Sequence, residues 1–118
     1  MEDRLDALVY RKLIEHLQAR PDTVQNIDMM NTAGFCRNCL AKWRHGAQHQ
    51  LGMANATYDD ALQAVYGMSY AEYKARHQAK ASPEQLARFE AVKQLHADHV
   101  GFPCICCSLV TDALPCKN

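Results

Sequence analysis

Apolar residues recur along this chain at the three- and four-residue spacing of helices, and the alternation expected of strands is nearly absent. From Asp3 to Arg20, the positions Leu5, Leu8, Val9, Leu13, Ile14 and Leu17 cover one broad face. Arg4, Arg11, Glu15 and Gln18 gather on the other. A face that wide is suited to meeting two neighbours or a partner subunit. His16 falls within its apolar side, as a core or interface histidine with a hydrogen-bond partner. Pro21 ends this helix, because it lacks an amide proton and clashes with the preceding turn.

Asp22 and Gln25 have capping-box spacing, so the next helix starts there or at Asn26. The stretch "NIDMMNTAGFCRNCLAKWRHGAQHQ" then reads as helical to about Gln48, with Gly34 as a candidate break. Thr57 with Asp60 opens another helix, which carries Ala61, Leu62, Val65 and Tyr66 and stops at Gly67. Ser69 with Glu72 opens a short one. Ser82, Pro83 and Gln85 combine a capping serine, a proline at the first helical position and a glutamine able to reach back. That helix carries Leu86, Phe89, Val92 and Leu95 inward and runs toward His99, before Gly101 and Pro103 end the pattern. The fold class is all-α: a compact domain of five or six helices over residues 1–100. An irregular, cysteine-rich tail over 101–118 is expected to be poorly ordered.

With 118 residues, the chain is one domain with a real core. Thirteen basic and thirteen acidic residues cancel, so no net field draws the protein to nucleic acid or an anionic membrane. No apolar run approaches the roughly 20 residues of a membrane span. Charges are threaded through "MEDRLDALVYRKLIEHL", unlike an export signal. The expected location is the cytoplasm, where thiols stay reduced. The six cysteines are therefore read as packing, metal or redox residues before structural disulfides.

Two of them, Cys36 and Cys39, sit in "GFCRNCLAKW". On a helical wheel Cys36, Cys39, Leu40, Trp43 and Ala47 form one stripe, which makes both thiols core residues. Arg37, Asn38, Lys42, Arg44 and His45 share the opposite side, a solvated basic face too narrow for nucleic acid. The same spacing also converges two sulfurs on one zinc or iron ion, which wants four ligands. Further ligands would come from His96 and His99, or from Cys104, Cys106 and Cys107, and His45 with His49 is another pair at helical spacing. Redox chemistry depends on where the helix starts. A start near Gly34 puts Cys36 in the first turn, where unpaired amides favour thiolate, whereas a helix from Ile27 leaves it inert.

The motifs "VQNIDMMNTAGFCRNCLAKW", "VYGMSYAEYK" and "ASPEQ", in that order, resemble a small bacterial family known as domain-of-unknown-function family 1244, over about residues 8 to 95. The resemblance implies a multihelical, self-associating cytoplasmic protein with no established activity or cofactor. The family's recurrent positions map onto Asn26, Asp28, Asn31, Gly34, Phe35, Cys36, Arg37, Asn38, Cys39, Trp43, Tyr66, Gly67, Met68 and Tyr70. Tyr73 stands where relatives usually carry tryptophan, and the tail after Val100 lies outside the resemblance. A family site must then be built from Cys36 and Cys39 with polar company. Its candidates are Asn26, Asp28, Asn31, Arg37, Asn38 and Trp43, although helix-end or buried hydrogen bonds are the simpler role for the Asn and Asp residues.

The tyrosines near helix ends, Tyr58, Tyr66, Tyr70 and Tyr73, are expected to pack with hydroxyls toward water or backbone. Met29, Met30, Met53 and Met68 are expected to fill core gaps. No arrangement identifies a reaction or assigns a cofactor. The sequence thus points to a self-associating module, a homodimer through its first helix and the cysteine-bearing helix. The competing reading is a metal or thiol-redox site at Cys36 and Cys39.

Overall fold

The computed structural model describes residues 1–97. Six α-helices follow one another: α1 (Glu2–Gln18), α2 (Asn26–Ala33), α3 (Arg37–Gln50), α4 (Tyr58–Tyr66), α5 (Tyr70–Arg76) and α6 (Pro83–Ala91). A 3-10 turn, Lys93–Leu95, closes the described chain, which contains no strand. The fold class is the all-α one expected. His99, Cys104, Cys106, Cys107 and the whole 101–118 tail lie outside the described residues.

Local chemistry sets most helix ends. The Thr57 and Ser69 hydroxyls each accept the amide three residues on, at 3.1 Å, and so start α4 and α5. Ser82 and Gln85 form the complete capping box of α6, with Pro83 at its first position. Gly67 ends α4 at φ 75, a left-handed conformation that glycine adopts without a Cβ penalty. The Asp22–Gln25 box does not form. Gln25 caps α2 by position alone, because its side-chain amide is taken by tertiary partners. It donates to the carbonyls of Asp22 and His77 at 2.7 and 2.9 Å and accepts from the Ala79 amide at 3.0 Å. Asp22 instead meets the His77 ring at 2.8 Å.

Gly34 does break the long central helix. Its φ of 80 turns the chain between α2 and α3, and the Ala97 amide donates to its carbonyl at 2.6 Å. A Cβ at this position would stand 2.6 Å from the Leu95 carbonyl oxygen. The glycine is therefore required both by backbone conformation and by the close approach of the chain after α6.

Two apolar clusters result. The larger joins Leu17 of α1, Leu40 and Ala41 of α3, five residues of α4 including Leu62 and Val65, and Tyr73 of α5. The smaller joins Ile27 and Met30 of α2, Cys36 and Cys39 at the start of α3, and Phe89 of α6. Phe35, Trp43 and Met29 pack against both, so α3 is the shared axis. This central position overturns the solvated basic face: Arg37, Asn38, Lys42 and His45 are buried, and only Arg44 of that set is exposed. Neighbours cover α3 on both sides, so its polar stripe had nowhere wet to go.

Other inward assignments fail at the edges of the fold. His16 and Met53 are exposed. In α6 only Phe89 is buried. Leu86 and Leu95 face outward, and the helix stops at Ala91 well short of His99. In α1 only Leu17 is fully buried; Tyr10, Leu13 and Ile14 pack partly against the larger cluster, while the first half of the helix stands clear.

Gly34→Ala and Gly67→Ala separate the two demands on glycine. Gly67→Ala is expected to lose about 1–2 kcal/mol in urea unfolding, the cost of a left-handed alanine, since its nearest neighbour is the movable end of Gln18. Gly34→Ala should lose distinctly more, because the Leu95 backbone must also move. Equal losses would contradict the packing of 95–97 onto the turn.

Candidate functional site

The residues singled out around the cysteine pair do not converge on one pocket; they face three directions from the α2–α3 junction. Asp28 and Asn31 point to α6. The Asp28 carboxylate accepts from the Gln85 amide at 2.9 Å, and the Asn31 amide donates to the Gln85 carbonyl at 3.1 Å. Gln85 also closes the capping box, so these contacts pin the start of α6 to α2. This is the helix-end role expected for the polar residues.

Cys36 and Cys39 turn into the smaller cluster, 2% and 3% exposed, and neither is in a disulfide. Cys36 is the N-cap of α3 in extended conformation, so the helix starts where thiolate chemistry requires. Its thiol pKa nevertheless lies well above the usual value. The hydrogen bond with the Cys39 thiol contributes most and burial next, and the Asn38 and Cys39 amides pull the other way without prevailing. Cys39 in turn contacts the Met30 sulfur at 4.0 Å. The Cys36 thiol is thus held protonated, and both thiols sit in an apolar setting.

Arg37 and Asn38 point the opposite way. Arg37 is 1% exposed and, among the described residues, its guanidinium meets no carboxylate; it is solvated by oxygen dipoles instead. It donates to the carbonyls of Val24 at 2.6 Å, Leu17 at 3.2 Å and Arg20 at 3.0 Å, and to the Asn26 side-chain oxygen at 3.0 Å. The Leu17 carbonyl belongs to the last turn of α1 and Arg20 follows its end. Each of these carbonyls also accepts one backbone amide, so the guanidinium takes their second lone pairs at the negative end of the helix dipole. The Tyr73 ring lies 5.5 Å from the guanidinium carbon. From Asn26 a buried chain continues. Its amide donates to the Tyr66 hydroxyl at 2.9 Å, that hydroxyl donates to the Asn38 oxygen at 2.6 Å, and the Asn38 amide donates to the Tyr70 hydroxyl at 3.2 Å. Burial, more than any charge, pushes the Tyr66 pKa well up, so it remains a neutral donor in this chain.

Trp43 takes a third direction. It stacks near Phe35, ring centroids 6.3 Å apart, and lines an apolar cavity of about 550 Å³ between α1 and α3. A second cavity of about 370 Å³, between α4 and α5, has Tyr58, Tyr70 and Lys74 in its wall. Neither is lined by a cysteine.

The sequence-level ligand sets fare unevenly. Among the described residues no group of three or more His, Cys, Asp or Glu side chains is gathered to hold a metal ion. His96 is buried with its ring 4.6 Å from Phe89. His45 and His49 pack edge to face at 4.5 Å, and burial first, then the charge of His49, lowers the His45 pKa. Asn26, named beside the cysteines, meets Arg37 and Tyr66, whereas Tyr66 and Tyr70 were missing from the candidate site. Their shared helix-end positions gave no sign that Arg37 and Asn38 would turn inward to meet them.

Residues 24–91 match a family described as "Protein of unknown function (DUF1244)". The chain belongs to the DUF1244 family. The matched segment holds the cysteine pair, Arg37 and the Asn26–Tyr66–Asn38–Tyr70 chain, but it starts after α1. In this DUF1244 protein, two of the four oxygens around Arg37, those of Leu17 and Arg20, therefore come from outside the match. A search of curated proteins returns no match to the chain.

Alkylation followed by peptide mass spectrometry reads the state of the pair directly. At about pH 8, Cys36 and Cys39 should stay unmodified in the native protein and react fully in urea. Labelling of native Cys36 as fast as in urea would show an accessible, reactive thiol.

Proposed function

We propose that this DUF1244 protein acts as a self-associating helical module, a cytoplasmic homodimer, in which the central motif builds the fold and the first helix makes the contact. One observation carries this reading. Leu5, Leu8 and Val9 of α1 are 49%, 50% and 69% exposed and form a continuous apolar stripe on a helix half clear of the body. Scattered exposed leucines need no explanation, but a stripe at helical spacing gains about 25 cal/mol for each Å² of apolar surface it covers. A balanced total charge supports a protein partner over nucleic acid. Among the described residues no helix is long and apolar enough to cross a membrane.

The competing reading, a zinc, iron or thiol-redox centre at Cys36 and Cys39, draws on the thiols' mutual contact at a helix start. The burial of both thiols and the raised pKa of Cys36 weigh against it, and so do the distinct directions taken by Asp28, Asn31, Arg37 and Asn38. Arg37 and Asn38 have structural partners that account for their burial without a substrate.

Light scattering coupled to size exclusion tests the proposal. Wild-type protein is expected to run as a dimer, and Leu8→Glu, an exposed position whose change leaves the core intact, as a folded monomer. A wild-type monomer at every concentration, or a Leu8→Glu dimer as tight as wild type, would overturn it.

A further inference from the structure

One polar cluster on α3 takes no part in the Arg37 network. His45, Gln48 and His49 stand at positions i, i+3 and i+4, so they share one face in the last two turns of the helix. His45 is 3% exposed, Gln48 is half-buried and His49 is exposed, which leaves the cluster closed inside and open outside. The Nδ1 atom of His45 and the Oε1 atom of Gln48 are both enclosed, and among the described residues neither has a hydrogen-bond partner. An enclosed polar atom without a partner costs about 1–3 kcal/mol. Here two such atoms, each carrying a lone pair, lie within one turn of helix.

The two imidazoles already have the separation of rings that share one ion. Their centroids are 4.5 Å apart and their planes are at 81°. A metal–nitrogen bond of about 2.0–2.1 Å puts a ring centroid about 3.2 Å from the ion, so two rings at right angles around it stand about 4.5 Å apart, against about 5.2 Å at a tetrahedral angle. We infer that His45, Gln48 and His49 bind a divalent copper or nickel ion, through one nitrogen of each imidazole and the Gln48 amide oxygen, with water in the remaining positions. Nitrogen and oxygen donors at right angles suit those two ions, whereas thiolates such as a deprotonated Cys36–Cys39 pair would suit zinc. The site lies about 20 Å along α3 from Cys36 and is independent of the self-association proposed above. It contains two histidines and an amide, which agrees with the absence of any group of three His, Cys, Asp or Glu ligands among the described residues. In the last turns of α3 the ion meets the negative end of the helix dipole, which opposes the like charge of Lys42 a turn before His45. Exposed His49 marks the way in.

Nickel(II) chloride titrated into the full chain tests the site, with the protein freed of metal and its reactive thiols blocked by iodoacetamide so that cysteine cannot take the probe. Equilibrium dialysis counts the bound nickel. Trp43, the single tryptophan and two residues from His45, reports its arrival by quenching. The expected result is one nickel per chain with loss of Trp43 emission. His49→Ala, at an exposed position, and Gln48→Leu should each weaken binding about ten-fold or more, with helical circular dichroism unchanged. No nickel uptake, or uptake that either change leaves unaltered, would overturn the inference and leave the contact of His45 with His49 as ring packing alone.

Discussion

Among the described residues, the guanidinium at the centre of this protein meets no carboxylate, and the rest of the fold is arranged to make that tolerable. Moving an ion out of water costs several kcal/mol even after relaxation, so Arg37 can be buried only where oxygen dipoles replace its hydration shell. The end of α1, the loop through Val24 and the Asn26 side chain supply those dipoles. Each comes from a different stretch of chain, and a planar group with five donors in a fixed fork can reach all of them at once. Arg37 thereby fixes the first turn of α3 against the end of α1 and the start of α2. The Asn26–Tyr66–Asn38–Tyr70 chain extends the same lock to α4 and α5.

The cysteine pair is the apolar counterpart of that lock. At the first turn of α3, polar residues 37 and 38 point to one side while 36 and 39 point to the other, into Met30, Ile27 and Phe89. Small polarizable side chains suit this junction, where α2, α3 and α6 converge and the chain after α6 returns to touch Gly34. Two cysteines three apart invite a metal or redox reading in any sequence. Here the same spacing serves packing on one face, and the two residues between them secure the other.

How far the sequence disclosed this depended on whether the controlling interaction was local. Caps, the Ser82–Gln85 box and the glycine stops act within a few residues, and they were legible. Cys36 and Cys39 were legible as core because an apolar stripe on a helix must be covered. Arg37, Asn38, Lys42 and His45 were misread as a wet face, since helical periodicity reports one buried side and α3 is buried on two. The oxygen partners of the Arg37 and Asn38 side chains lie between 11 and 32 residues away, and no local rule names them. Gln25 was misassigned for a similar reason: tertiary partners at residues 77 and 79 outcompeted a local cap. The outer half of α6 was overcalled because apolar spacing alone does not say where a neighbour ends.

The polar lock at the start of α3, which reaches back to the end of α1, stands or falls on Arg37. Urea unfolding of Arg37→Met, which keeps apolar bulk but removes every donor, is the most direct test. Four oxygens would then be left inside without their cation, and the expected loss is about 3 kcal/mol or more, up to failure to fold. A loss below about 1 kcal/mol, the value of one ordinary hydrogen bond, would contradict the account, because it would mean the surrounding carbonyls do not depend on Arg37.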